Sequence, residues 1–265
     1  LNETEVKPAW PLFIVGSPRS GTSVLVDAAF AAGYSGFREG NFFGLLRPLR
    51  DTVDVYFRRF STENPKVLVS QLSAETVFDG ILGVFKQAVD SWNPQTPWVD
   101  KTCNAPTLLE LPSIVSLWPG SRVIFAKRRA IENIRSRLQK FPARDFTYHC
   151  RDWALTMAAW RGARQHLDPS LYLEVDQRDL LLNAPSVAGE IASLLSIDAT
   201  GQARIEKALV SLRSQETAPG TAERLGSLDD GLWTESQVEE FRALCGEEME
   251  QFGYTTDASY RKPLI

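Results

Sequence analysis

The first regular pattern along the chain is a short apolar run, Leu12-Phe13-Ile14-Val15, set between Pro11 and the turn residues Gly16-Ser17-Pro18. Unbroken apolarity over four residues suits a strand buried on both faces. From Ser20 the pattern changes to small and apolar residues at helical spacing through Ala32, and Gly33 ends it as a C-terminal cap would. Further strands are predicted at Trp98-Val99, at Val123-Ile124-Phe125-Ala126 and from Leu171 to Val175. Helices are predicted over roughly 70–91, 105–117, 131–140, 145–166, 185–195 and 234–251. Strands separated by helices imply an α/β fold, a mostly parallel central sheet flanked by helices. Residues 1–10 read as a disordered lead-in, 11–256 as a single domain and 257–265 as a C-terminal tail; 213–231, rich in Ser, Gly, Asp and Glu, reads as a long loop.

Composition narrows the function classes. With 265 residues, 43% of them hydrophobic, the chain can bury a sizeable core. A net charge of -4 gives no global basic field for nucleic acid. Between Arg122 and Arg151, however, nine basic residues stand against two acidic ones, a local charge of +7. Cys103, Cys150 and Cys245 show no metal-ligand or disulfide-framework spacing, which points to reduced thiols in a cytoplasm. No run of 18 apolar residues is present, so no membrane span is expected in these residues. Leu1 in place of Met leaves room for a preceding signal or anchor, and Asn2-Glu3-Thr4 is a glycosylation sequon.

The loop after the first strand carries the chemistry. Gly16 and Gly21 have the spacing of GxxxxGK[ST], in which backbone N–H groups wrap a phosphate at a helix N-terminus. Thr22 stands where nucleotide-hydrolysing versions place Lys, although Ser23 matches their hydroxyl. Arg19 instead puts a guanidinium inside the loop. This segment, Ser17-Pro18-Arg19-Ser20-Gly21-Thr22-Ser23, resembles the P-loop-like phosphosulfate-binding loop of enzymes dependent on 3′-phosphoadenosine 5′-phosphosulfate (PAPS), the sulfotransferases. The resemblance implies that these seven residues hold the 5′-phosphosulfate.

A second segment fits the same family. The strand 123–126 leads into Lys127-Arg128-Arg129, and Ser136 follows Arg128 by eight residues, with Ile131, Ile134 and Leu138 as a helical stripe. This is similar to the family's 3′-phosphate motif, an Arg leaving a strand and a Ser on the next helix. An Arg fork plus a hydroxyl suits a phosphate dianion. The family's usual Asp-Pro is Arg129-Ala130 here, which leaves open whether Arg128 or Arg129 faces the phosphate.

Sulfuryl transfer requires a base for the acceptor proton and cations for the developing charge. In Asp100-Lys101-Thr102-Cys103 a Cys occupies the place of the His base found after Lys-Thr in cytosolic-type relatives. A second branch, which includes protein-tyrosine sulfotransferases, uses a Glu about twenty residues beyond the loop Arg; Glu39 falls there, at the end of the next strand, and partial burial would strengthen it as a base. The resemblance assigns Arg19 and Lys101 to charge stabilisation. His149 and His166 lie in a segment that reads as helix, with packing as their simplest role. Tyr172-Leu173-Glu174-Val175, Arg178-Asp179-Leu180, Trp233-Thr234 and Phe252-Gly253-Tyr254 resemble architectural segments of the family. Its basic run near the C-terminus is missing, and Arg213 or Arg224 would be the nearest substitutes.

The expected function is transfer of a sulfuryl group from PAPS to a hydroxyl-bearing acceptor, leaving 3′,5′-diphosphoadenosine (PAP), with no metal and no nucleic-acid partner. The alternatives are a phosphate-loop kinase and a non-catalytic nucleotide-binding protein of the same fold. Segments 40–62 and 70–95, with Phe42, Phe43, Tyr56, Phe57 and Trp92, offer residues for an apolar acceptor pocket, without fixing the acceptor's class.

Overall fold

In the computed structural model, which describes residues 10–92, 97–211 and 225–262, the predicted strands assemble into one parallel sheet. Its strands are β1 (Leu12–Gly16), β2 (Ser35–Gly36), β3 (Trp98–Thr102), β4 (Arg122–Lys127) and β5 (Tyr172–Asp176), in the order β2-β3-β1-β4-β5. The chain leaves β1 toward β2 and leaves β4 toward β5, in opposite directions. A crevice therefore opens between the carboxyl ends of β1 and β4, where such sheets place ligands.

The unbroken apolar runs follow from burial on both faces. Phe13, Val15, Val123 and Phe125 point to one side, into a core shared with helices Ala105–Leu109, Leu111–Leu117, Ala130–Lys140, Phe146–Ala163 and Glu235–Gln251. Leu12, Ile14, Ile124, Ala126 and Val175 point to the other, against helices Thr22–Ala31, Ala184–Leu195 and Ala199–Ser211.

Several boundaries differ from expectation for local reasons. The helix predicted over 105–117 is two helices broken at Glu110, whose buried carboxylate accepts from Arg50 Nε at 2.8 Å. Proline occupies the first turn of each half. Helix Leu46–Phe60 was not predicted; only Leu46 is buried along it, although Leu49, Val53, Phe57 and Phe60 follow at helical spacing. Helices Gln177–Leu182 and Ala199–Ser211 were also unforeseen, and the strand expected to end at Glu39 is the two-residue β2, which stops at Gly36. Thr234 caps helix Glu235–Gln251 through a reciprocal pair with Gln237. Residues 257–262 are no loose tail: Tyr260 is buried, and its hydroxyl donates to Asp176 at 2.7 Å. The first nine residues, with the sequon, and Arg213 and Arg224 lie outside the described residues.

Candidate functional site

The loop between β1 and its helix is shaped from the sheet outward. Gly16 has φ 146°, and a Cβ there would lie 2.2 Å from the carbonyl oxygen of Ala126 on β4, so only glycine lets the chain turn off the strand. Arg19 sits at the crest with φ 72°, an uncommon value for a residue with a side chain. The helix begins at Thr22, two residues later than predicted, and the first of its amides to find an intrahelical acceptor is Leu25 N, on Gly21 O. The N–H groups of Thr22, Ser23 and Val24 precede it in the first turn, the kind of helix start that can receive an anion.

Beneath the loop, helix Ala130–Lys140 supplies a scaffold that the sequence did not reveal. Asn133 Nδ2 donates to Pro18 O at 2.9 Å and to Ser20 Oγ at 3.1 Å, and Ser17 Oγ donates to Asn133 Oδ1 at 3.4 Å. Arg137 Nη1 donates to Ser17 Oγ at 3.2 Å while its other arm holds Asp152. The Ser17 and Ser20 hydroxyls are thus buried and engaged inward. No spacing rule links Asn133 and Arg137 to residues more than 110 positions away; the basic stretch at 122–151 was the only signal.

The two predicted phosphate clamps meet. Arg19 Nε donates to Ser136 Oγ at 2.9 Å, and Arg128 Nη1 donates to Arg19 O at 3.1 Å. Burial lowers the pKa of both guanidinium groups, with neither leaving the charged state at neutral pH. Arg129 turns the other way. Its five N–H groups go to Glu132 twice, and to the carbonyls of Thr255, Asp257 and Gly226. The sequence left Arg128 and Arg129 open; Arg128 is the one directed at the loop.

At the end of β3, Lys101 is 5% exposed and forms an ion pair with Glu39. The expected partial burial of Glu39 is not found: its side chain is 59% exposed, and β2 ends three residues before it. Nor does Lys101 pair with its neighbour Asp100. Asp100 is buried under Gly40, where a Cβ would come within 1.5 Å of its Oδ2. Gly40 N donates to Lys101 O at 2.9 Å, Asn41 N to Thr102 Oγ1 at 3.1 Å, and Thr102 Oγ1 to Asp100 Oδ1 at 2.8 Å. This relay stitches the Glu39 segment to β3. Burial pushes the Asp100 pKa up to about 6, with Glu39 adding to the rise and Thr102 and Lys101 opposing it. Burial pushes the Cys103 pKa up to about 11, so a neutral thiol follows Lys101-Thr102.

Around Glu39 two aromatic pairs stack: Phe37 on Trp92, both largely exposed, and Phe42 on Phe85. Phe43 belongs to the core, edge-on to Phe13. Tyr56 packs against Phe60 on the outer helix. His149 is buried in helix Phe146–Ala163, where desolvation lowers its pKa, and His166 closes the following turn. Among the described residues no group of three or more His, Cys, Asp or Glu side chains is placed to hold a metal, and no helix is long and apolar enough to cross a membrane.

Comparison with known proteins gives a consistent result. The sulfotransferase family model matches residues 11–201. No curated protein sequence matches the chain. Among solved structures, the sulfotransferase STF9 from Mycobacterium avium shares 14% identity over 92% of this chain and 77% of its own, with a TM-score of 0.56. The sulfotransferase domain of the Synechococcus PCC 7002 olefin synthase shares 16% over 96% and 98%, with a TM-score of 0.52. Mouse sulfotransferase SULT7A1, complexed with PAP, shares 14% over 91% and 84%, also at 0.52. At these identities the likeness is one of fold.

Proposed function

The chain belongs to the sulfotransferase family, and from that membership we propose that it moves the sulfuryl group of PAPS to a hydroxyl acceptor by in-line displacement. The observation that carries this reading is the junction of the two clamps, Arg19 Nε to Ser136 Oγ and Arg128 Nη1 to Arg19 O, at the crevice between β1 and β4. A nucleotide with anions at both its 5′ and 3′ ends matches two guanidinium groups bracketing one loop; a triphosphate matches only the loop.

In this mechanism the amides of Thr22 and Ser23 and the Arg19 guanidinium face the 5′-phosphosulfate, while Arg128 and Ser136 face the 3′-phosphate. The acceptor oxygen attacks sulfur, the bond from sulfur to the bridging oxygen breaks, and its electron pair leaves with PAP. Lys101 and Arg19 stabilise the charge that develops on that oxygen. The acceptor proton passes to Glu39, whose exposure leaves it reachable from solvent and whose Lys101 partner fixes its direction.

Thermal denaturation with nucleotides tests the donor. PAP without metal should raise the melting temperature, and ATP with magnesium should not; the reverse pattern would replace this reading with a kinase. Glu39→Gln tests the base: donor turnover should fall by about 10²-fold or more with PAP binding retained. Wild-type turnover in that variant would remove Glu39 from the role.

A further inference from the structure

Arg178 carries a buried nitrogen, Nη1, without a hydrogen-bond partner among the described residues, and the mechanism above makes no use of it. Lys127 on β4 is the register partner of Asp176 on β5, so Arg128 and Arg178 leave adjacent parallel strands one and two residues beyond the last pair. Neighbouring strands are about 4.8 Å apart, which makes these two guanidinium-bearing residues lateral neighbours at the carboxyl edge of the sheet. The turn carrying Arg178 also packs on the anion loop: Leu180 Cδ1 lies 2.6 Å from where a Cβ on Gly21 would stand.

Four arginines gather around Tyr260 and Asp176, and they divide into two kinds. Arg129 spends all its N–H groups on Glu132 and backbone carbonyls, and Arg261 spends its charge on Asp176 and Asp179. Arg128 and Arg178 form no ion pair among the described residues, and each keeps a buried nitrogen, Nε and Nη1 respectively, without a hydrogen-bond partner there. Asp176 cannot serve them further. It already accepts from the hydroxyls of Tyr254 and Tyr260, the Arg178 backbone N–H and Arg261.

Tyr260 lies beside Arg178. The guanidinium lies 5.2 Å over the ring, and the ring is held by its buried hydroxyl and a backbone φ of 72°. A cation–π contact of this kind leaves the N–H groups of the guanidinium available to an anion. Two half-buried guanidinium groups on adjacent strand ends, each with a buried nitrogen that lacks a hydrogen-bond partner among the described residues, suit an anionic partner with several acceptor oxygens.

We propose that Arg178 joins Arg128 as a second guanidinium on the donor's 3′-phosphate, making the β4–β5 edge the element that selects a 3′-phosphorylated nucleotide. This rests on the PAPS reading above. It adds a residue that neither the phosphate-loop pattern nor the strand-Arg-Ser pattern contains.

The test compares binding of PAP and of adenosine 5′-monophosphate, which differ only in the 3′-phosphate, by calorimetry on the wild type, Arg178→Gln and Arg178→Lys. A charge-assisted hydrogen bond of ordinary strength predicts that Arg178→Gln loses about tenfold to a hundredfold in PAP affinity, with 5′-monophosphate affinity unchanged within about twofold. Arg178→Lys, which keeps the charge but not the fork, should fall between and covers the case in which the Gln variant does not fold. A preference for PAP in either folded variant equal to the wild type overturns the proposal, as does equal weakening of both nucleotides, which would mark a purely architectural arginine. If the wild type itself does not prefer PAP, the donor reading fails instead, before Arg178 is put to the test.

Discussion

Arg19 Nε and Ser136 Oγ lie 2.9 Å apart across 117 positions of sequence, so the crest of the anion loop is held by the helix that follows β4. The contact makes one site of two segments whose motifs are unrelated in the chain. It also means that the loop guanidinium is pre-positioned before any anion arrives.

Ser136→Ala should expose how much that contact contributes. Removing the acceptor leaves Arg19 to reorient at a cost typical of a charged hydrogen bond, and PAP affinity should fall about tenfold. The fold should hold, because Ser136 is only partly buried. Unchanged affinity by calorimetry would mean that Arg19 and Ser136 do not act together.

Gly16→Ala should be among the most damaging single changes. The new Cβ would collide with Ala126 O at 2.2 Å, and the backbone φ of 146° disfavours any side chain. A loss of about 2–5 kcal/mol in urea unfolding is expected. A loss below about 1 kcal/mol would show that the loop leaves β1 differently.

Asp100→Asn carries a pH signature. Burial raises the Asp100 pKa to about 6, so the folded state holds that proton more tightly than the unfolded chain does. Ionised Asp100 therefore weakens the fold above about pH 6, and the penalty fades as pH falls toward the unfolded value near 4. The Asn variant should gain about 1–3 kcal/mol over wild type at pH 7.5, about half of that at pH 5 and little below about pH 4. Melts showing a pH-independent difference would refute the assignment.

Tyr260→Phe tests the C-terminal latch. It deletes the hydroxyl that donates to buried Asp176 at 2.7 Å while keeping the ring under Arg178. The expected cost is about 1–3 kcal/mol by chemical denaturation. A neutral outcome would show that residues 257–262 do not fasten the end of β5.

Legibility in the sequence tracked how local each feature was. The strand, loop and helix at 12–31 could be read because apolar runs, glycines and helical spacing act over a few residues, and the α/β alternation followed from them. Helix Leu46–Phe60 carries apolar residues at helical spacing, Leu46, Leu49, Val53, Phe57 and Phe60, and was legible in principle although it was not predicted. Among the site residues, Glu39, Lys101, Arg19, Arg128 and Ser136 could be nominated from motif spacing. Asn133, Arg137 and Asp100 could not, since their work is to hold other residues and no fixed spacing marks it.

By itself, then, the sequence determined the family, the parallel α/β plan and the phosphate loop, because local backbone preferences and apolar periodicity are written residue by residue. The tertiary structure decided which arginine turns inward. Arg129 is drawn away because Gly226, Thr255, Asp257 and Tyr260 arrive beside it from the far end of the chain, whereas Arg128 is left facing Arg19. The same convergence exposed Glu39, paired it with Lys101 and set Arg178 on Tyr260. Such choices depend on which distant groups satisfy each buried charge, and that is settled only when the whole chain has folded.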